Sequence, residues 1–207
     1  MIRKSINSHI TPELILNAYY QGLVPMANEA GEIGFYAFDP RGVIPLGPDF
    51  SIRRSLRQVL NRGDFRVTFD TAVLQVLQAC ARHGEVPIYE LWLSGELIEQ
   101  YLALFNMGIV HTVEVWRDDL DGNAQLIGGL YGLAIGGAFC GESMFSTASF
   151  GSQIALVHLV EHLREKGFLL LDAQMPSVHL KQFGLIECSN AEYAHQFNLA
   201  SRKSVRF

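Results

Sequence analysis

Two hydrophobic periods alternate along this chain, and each change of period predicts a change of secondary structure. In the first half, apolar residues recur at helical spacing in four stretches. These are ELILNAYYQ after Thr11-Pro12, SIRRSLRQVL from Ser51, a segment from Asp70 to about His83, and GELIEQYLALFNM after Ser94. We expect Thr11, Asp70 and Ser94 to cap helices, because short polar side chains accept hydrogen bonds from the first free amides of a helix.

The second half begins with strand periodicity and then returns to a helix. HTVEVWR alternates from His111, DDLDGN is a turn, and AQLIGGLYGLAI and AFCGESMF follow as two further strands. Ser152 is then expected to cap a helix, QIALVHLVEHLREK, which ends at Gly167. The apolar run FLLLDAQ predicts a buried strand, and a last helix is predicted from Ala191 to about Ala200. An antiparallel meander, a helix and a buried strand indicate an α+β (mixed α/β) fold with a mixed sheet.

The stretch Gly128 to Ser146, GGLYGLAIGGAFCGESMFS, is rich in glycine and holds a single charged residue, Glu142. Glycine inside strand-like sequence marks a bulge, a tight bend or the close approach of a ligand. A carboxylate among apolar residues is either a paired structural charge or part of a site. The stretch is therefore the first candidate for a functional site.

Composition narrows the class of protein. The chain has 207 residues, 49% of them hydrophobic, which is enough for a packed core. Its three cysteines form no CxxC pair, which favours free thiols in a reducing compartment. The formal charge of −5 argues against a generally basic nucleic-acid coat. With no long apolar run in the sequence, we expect a cytoplasmic protein.

Arginines are concentrated on one predicted helix. Four of them, Arg53, Arg54, Arg57 and Arg62, fall largely opposite the apolar residues of that helix. Either they form a solvated helix face, or they contact phosphates as a local basic patch. The sequence pattern leaves both interpretations open.

Two further constellations could carry chemistry. His158-Leu-Val-Glu161-His162 matches the H-x-x-E-H zinc motif on a helix, but a zinc site needs a third protein ligand and none has a supporting motif. Asp172 ends the buried strand, where sheets of this kind bind ligands. Its carboxylate either orients or deprotonates an amine, or caps the following turn.

Several blocks together resemble one known family. AYYQGLVPM, DPRGVIPL, VEVWR, GGLYGLAIGGAFCGESMFS and LLDAQ, in this order, are similar to the bacterial leucyl/phenylalanyl-tRNA–protein transferases from about Ile10 to Glu187. The resemblance implies an enzyme that moves leucine or phenylalanine, with methionine as a further donor, from aminoacyl-tRNA to an N-terminal arginine or lysine, marking that protein for degradation. It implies no metal or diffusible cofactor. It also implies a small N-terminal domain, residues 1–50, before an acetyltransferase-like catalytic domain, residues 51–207, with a largely antiparallel sheet. Apart from the resemblance, we expect no membrane partner and a monomer.

The resemblance also implies roles for individual residues. Asp172 and Gln174 correspond to the catalytic pair: Asp172 would hold the acceptor amine and Gln174 would relay or position its proton. The aminoacyl group would contact Glu142, Met144, Leu156, Leu159 and Leu171. The terminal adenosine would lie against Tyr36, Trp92 and Phe139, and the arginine helix would contact the tRNA backbone.

The chain departs from the family pattern at two positions that bear on substrates. Phe35-Tyr36 replaces a pair of tryptophans, and Gln153 replaces a lysine. Two alternatives to aminoacyl transfer follow: the same fold with another acyl donor, such as a thioester, or a protein that binds the tRNA end without catalysis.

Overall fold

A computed structural model describes residues 2–5, 10–28, 32–81 and 93–207 of the chain. The helices in these ranges are α1 (Pro12–Tyr20), α2 (Arg54–Arg62), α3 (Val73–Ala81), α4 (Gly95–Asn106), α5 (Gly151–Lys166), α6 (Val178–Lys181) and α7 (Asn190–Ser201). The strands are β1 (Ile2–Ser5), β2 (Val24–Ala27), β3 (Ile33–Ala37), β4 (Arg41–Ile44), β5 (Arg66–Phe69), β6 (Val110–Asp118), β7 (Ala124–Ile135), β8 (Ala138–Ser146), β9 (Leu170–Gln174) and β10 (Ile186–Cys188).

The strands form two sheets. A small N-terminal sheet has the order β1-β3-β2, and the main sheet has the order β10-β4-β9-β8-β7-β6-β5. In the main sheet β8 and β9 are parallel, whereas the other described neighbours pair antiparallel. A helix, α5, connects the two parallel strands, as such a crossover requires. The predicted α+β class, with a mixed and largely antiparallel sheet after a small N-terminal region, is confirmed.

Both faces of the main sheet are buried. Tyr131 and its neighbour Leu130 on β7 belong to two different apolar clusters, because successive side chains of a strand point to opposite faces. The cluster containing Tyr131 is completed by side chains of α1, α3, α4 and α7. The cluster containing Leu130 is completed by side chains of α2 and α5. The sheet therefore forms the middle layer of the molecule.

Of the four residues that were predicted to cap helices, two do so and two do not. Thr11 and Ser94 accept hydrogen bonds from Leu14 and Leu97 N–H and cap α1 and α4. Asp70 does not cap α3, because its carboxylate instead accepts the Thr112 N–H. Ser152 lies inside α5, and the Ser146 hydroxyl accepts its N–H.

Glycine in the Gly128–Ser146 stretch permits close packing. A Cβ on Gly128 would overlap the backbone of Gly151, so these two glycines let the start of α5 lie directly on β7. Gly136, in the turn between β7 and β8, has a φ of +56° that favours glycine. The glycines therefore permit the close packing of the hairpin, and this function is separate from any contact with a ligand.

The strand pairing can be compared with the predicted domain boundary at residue 50. β4 lies before that boundary, yet it pairs with β9 and β10 in the main sheet. The change from one sheet to the other therefore falls between Ala37 and Arg41. Among the helices of the described ranges, none combines the length and the apolar character needed to span a bilayer.

Candidate active site

The candidate site lies where β4, β9 and β8 run side by side. Cys140 on β8 is aligned with Asp172 on β9, and Gly42 on β4 is aligned with Gln174. A register shift between Gly42 and Val43 bends β4 beside the end of β9. This arrangement brings Arg41, at the start of β4, next to Asp172.

Asp172 is fully buried, and hydrogen bonds occupy both of its carboxylate oxygens. Oδ1 accepts Arg41 Nε at 2.9 Å and the Gln174 backbone N–H at 2.8 Å. Oδ2 accepts Arg41 Nη2 at 2.6 Å and the Tyr193 hydroxyl at 2.8 Å. The paired geometry with Arg41 is the bidentate arrangement that gives charge-assisted hydrogen bonds their strength.

Arg41 is itself enclosed and fully buried. Its Nη1 donates to the Gly22 carbonyl at 3.0 Å, and the guanidinium lies 4.3 Å from the centre of the Tyr193 ring. Burial alone would lower the pKa of Arg41, but the charge of Asp172 raises it overall. The pair is therefore a fixed internal ion pair that links β4, β9 and α7.

Glu142 and Gln174 form the second polar pair of the site. The Gln174 side-chain amide donates to Glu142 Oε1 at 2.6 Å and to the Gly141 carbonyl at 3.0 Å. Gln174 has a φ of +58°, a left-handed conformation that few non-glycine residues adopt. The strand end is thus turned so that the amide reaches the carboxylate on β8.

Three buried phenols surround Glu142 on its other side. The Tyr101 hydroxyl donates to Glu142 Oε2 at 3.3 Å. The hydroxyls of Tyr19 and Tyr131 are buried and have no hydrogen-bond partner among the described residues. Burial raises the pKa of Glu142 to about 7, and nearby Asp172 raises it too, although the neighbouring hydroxyls of Tyr19 and Tyr101 lower it in part.

An apolar cavity of about 90 Å³ opens beside this pair. The five residues predicted to contact the aminoacyl group all line it: Glu142, Met144, Leu156, Leu159 and Leu171. Ile44, Leu130 and Leu180 extend the apolar wall. The cavity thus combines an apolar interior with a carboxylate, which is the usual composition of a small-molecule site.

Comparison with known proteins identifies the family. The profile described as leucyl/phenylalanyl-tRNA protein transferase matches residues 43–198, and that of the N-terminal domain of the same proteins matches residues 8–39. A leucyl/phenylalanyl-tRNA–protein transferase of Akkermansia muciniphila is 47% identical over 91% of this chain and 94% of its own length. One of Rubrobacter xylanophilus is 42% identical over 96% of this chain and 98% of its own. The chain belongs to the leucyl/phenylalanyl-tRNA–protein transferase family.

Solved structures add little to this assignment. The chain is similar to L-PGS from Bacillus licheniformis, with 13% identity, a TM-score of 0.43, and coverage of 90% of this chain and 68% of that one. The likeness is too weak to support an argument about function. Family membership therefore depends on the sequence relatives.

Two of the three residues predicted for the terminal adenosine, Phe139 and Tyr36, lie among the described residues. Phe139 is fully buried, and its ring stacks on Phe207 at 5.4 Å between centroids. The ring is therefore covered in this structure, and its contact with the adenosine stays a prediction. Tyr36 is partly buried on the small sheet, outside the cavity lining. Trp92 lies outside the described residues.

The arginine helix has the predicted amphipathic form. Leu56 and Val59 of α2 are buried. Arg53, Arg54, Arg57 and Arg62 are exposed, and none forms an ion pair within the described ranges. These four arginines are called the arginine face below. Their positions are compatible with either a solvated surface or a phosphate contact.

The histidine pair of α5 lacks a zinc ligand set. His158 Nδ1 lies 3.5 Å from Glu161, and the His162 ring stacks on Phe69 at 4.6 Å between centroids. Within the described ranges no three His, Cys, Asp or Glu side chains are grouped so that they could hold a metal ion. Burial lowers the pKa of both histidines, and their aromatic neighbours indicate a packing role.

Sequence reasoning missed the groups that enclose the two carboxylates. Arg41 was visible only as a member of the DPRGVIPL block, and its partner is 131 residues away along the chain. Tyr193 and Tyr101 stand in helical patterns that indicate core positions and nothing more. Arg41 stands directly before the apolar residues of β4 in the sequence. This was the one available signal, because an arginine buried among such residues requires a partner.

Proposed function

We propose that the protein transfers leucine or phenylalanine, and also methionine, from aminoacyl-tRNA to the N-terminal arginine or lysine of acceptor proteins. The observation that carries this proposal is the apolar cavity lined by Glu142, whose carboxylate accepts the Gln174 amide, in a chain that belongs to this family along nearly its whole length. An ester-linked aminoacyl group is already activated, so the reaction needs positioning and proton transfer without a diffusible cofactor.

The cavity accounts for the proposed choice of donor. Met144, Leu156 and Leu159 present apolar surface to an entering side chain. Burying such a side chain contributes roughly 1.5–3 kcal/mol, whereas a polar side chain would lose its hydrogen bonds to water there. The cavity therefore favours leucine, methionine and phenylalanine as the transferred residue.

The arginine face is the proposed tRNA contact. In a chain of net charge −5 it is a local concentration of positive charge, and phosphate contact is the common function of such a patch. Tyr36 and Trp92 remain the proposed stacking partners of the terminal adenosine. Because charged tRNA and N-terminally exposed acceptor proteins are the substrates, we propose that the protein acts in the cytoplasm as a monomer, in a degradation pathway.

A transfer assay tests this function against its two alternatives. The purified protein is incubated with a peptide carrying N-terminal arginine and with tRNA charged with labelled leucine, phenylalanine or methionine. We expect labelled peptide that disappears after RNase treatment and when the peptide is N-acetylated. Transfer from an acyl thioester would instead support a changed donor, and tRNA binding without transfer would support an inactive binding protein.

A further inference from the structure

We propose that residues 202–207, the segment that follows α7, form a pH-sensitive latch, which is closed while His162 is neutral and opens when its ring gains a proton. These residues are called the latch segment below. They lie outside the lining of the apolar cavity, and the inference does not depend on the proposed function.

The latch segment is tied to the starts of β8 and β9. Its Lys203 donates from Nζ to the Gly167 carbonyl at 2.6 Å, where α5 ends, and from its backbone N–H to the Ala200 carbonyl at 3.0 Å. The Gly137 N–H, just before β8, donates to the same Ala200 carbonyl at 2.8 Å. The Gly137 carbonyl in turn accepts the Leu169 N–H at 2.8 Å, just before β9. We therefore expect a movement of the latch segment to loosen the beginning of both strands.

Phe207 is the main apolar attachment of the latch segment. Most residues of the segment are exposed, namely Arg202, Lys203, Ser204 and Arg206. The Phe207 ring instead packs against a cluster of other rings: Phe69, His111, Phe139, His162 and Phe168. The two nearest are those of His111, at 4.2 Å between centroids, and His162, at 4.5 Å. The attachment of the segment therefore depends on two histidine rings.

His162 has a ring nitrogen without a partner. Its Nε2 is buried and forms no hydrogen bond within the described ranges. The ring contacts Phe69, at 4.6 Å between centroids, as well as Phe207. A neutral imidazole tolerates these surroundings because one of its nitrogens carries no proton, whereas both nitrogens of an imidazolium are donors. A second proton would bury a charged N–H without an acceptor, which favours a conformation in which Phe207 has left and water reaches the ring.

The charges around His162 do not compensate for its burial. Burial lowers the pKa of His162, and the positive charges of Lys166 on α5 and His111 on β6 lower it further. Glu165 on α5 and Asp70, just after β5, act in the opposite direction but leave the pKa below its ordinary value. The closed latch therefore favours the neutral form of His162.

The other histidine of the cluster accommodates a proton in the closed state. His111 Nδ1 lies 2.8 Å from Asp70 Oδ2, and its Nε2 lies 3.3 Å from the Gly108 carbonyl. Both nitrogens have an oxygen acceptor, so each N–H of an imidazolium would have a partner there. The response to acid is therefore assigned to His162 and not to His111.

The pH range of the switch follows from the direction of the pKa change. In the open state water reaches His162, and its pKa returns to about 6.5, whereas in the closed state the pKa is lower. The open state therefore binds the proton more readily, and acid favours it. The closed latch is fully favoured above about pH 7 and loses stability as the pH falls through about 6.5.

Hydrogen exchange of the whole chain at about pH 7.5 and about pH 5.5 tests the latch. Each rate is divided by the intrinsic exchange rate at that pH, so that the remaining difference reports opening. In the wild-type protein we expect the protection of the Lys203, Val205 and Leu169 amides to fall by about 3-fold or more at the lower pH. These amides donate to carbonyls within the latch segment and its attachment.

Two variants of the α5 histidines locate the response. His162→Phe keeps a ring beside Phe69 and Phe207 but has no group to protonate, so its protection should be the same at both pH values. The matched control is His158→Phe, one turn earlier on α5, where the ring packs against Phe65. This control should keep the wild-type response.

Three outcomes would overturn the proposal. They are a wild-type protein whose protection does not change with pH, a His162→Phe protein that keeps the full response, and a Phe207→Ala protein whose latch segment stays as protected as in the wild type. If His162→Phe does not fold, His162→Gln gives the same test, because glutamine has no proton that titrates in this range either.

Discussion

Asp172 and Glu142 occupy neighbouring strands but differ in what surrounds them. Asp172 is fully buried and is enclosed by a guanidinium, a phenol and a backbone amide. Glu142 is enclosed on one side by phenols and opens on the other to an apolar cavity. The first environment holds Asp172 in a buried ion pair with Arg41, whereas burial in the second raises the pKa of Glu142 to about 7.

The family resemblance predicted residues that come together at the cavity, but not the groups that enclose each carboxylate. Glu142 and Gln174 were both expected in the site, and they lie 2.6 Å apart. The hydrogen bonds of Asp172 depend on Arg41 and Tyr193, which come from distant parts of the chain. No local pattern reports such a partner, so the environment of a carboxylate could be known only from the folded structure.

Loss of Asp172 should destabilise the protein. Asp172→Ala leaves Arg41 buried without its partner, and we expect a loss of about 3–5 kcal/mol in the free energy of unfolding, measured by urea denaturation. The matched control is Glu187→Ala, which breaks the exposed 2.8 Å pair with Lys181. That variant should lose no more than about 1 kcal/mol. Equal losses in the two variants would contradict the account of the buried pair.

A larger side chain in the cavity should change the choice of donor. Leu156→Phe fills space that a phenylalanyl group needs more than a leucyl group does. We expect phenylalanine transfer to fall by about 10-fold or more relative to leucine transfer, measured as the ratio of kcat/KM values. Leu199→Phe, on the exposed side of α7, is the control and should leave the ratio unchanged.

Among the elements, the β7–β8 hairpin and β9 form the wall on which the site is built. The strand period predicted this hairpin and the apolar run predicted β9. Their pairing as parallel neighbours, β8 beside β9, follows from the α5 crossover between them. The place of β4 between β9 and β10 was not predicted, because a strand of four residues in a stretch rich in proline and glycine has no clear period.

We expect the arginine face to act through several arginines of one helix together. The double variant Arg53→Gln/Arg57→Gln should raise the KM for charged tRNA and flatten its dependence on salt. Each lost phosphate contact changes the slope of log K against log salt by about 0.7–0.9. The control Arg202→Gln/Arg206→Gln removes the same charge from the C-terminal segment.

An unchanged salt slope in the first double variant would show that the arginine face is only a solvated surface. An equal change in both double variants would show that total charge matters and not the position of α2.

The whole molecule has a main sheet that is covered on both faces, and the site lies where α1, α4, α5 and α7 meet the strand ends of that sheet. The Tyr193 hydroxyl of α7 donates to Asp172, and the buried phenol of Tyr19 on α1 lies near Glu142. The N-terminal segment and the C-terminal helix are therefore part of the active-site wall. This explains why the family resemblance extends along nearly the entire chain.

The product of one turnover tests the proposed aminoacyl transfer directly. Wild-type protein is mixed with leucyl-tRNA and a peptide with N-terminal arginine, and the peptide is sequenced by mass spectrometry. We expect one leucine joined by an amide bond to the α-amine of that arginine, together with free tRNA. An unmodified peptide, or leucine attached to a side chain, would contradict it.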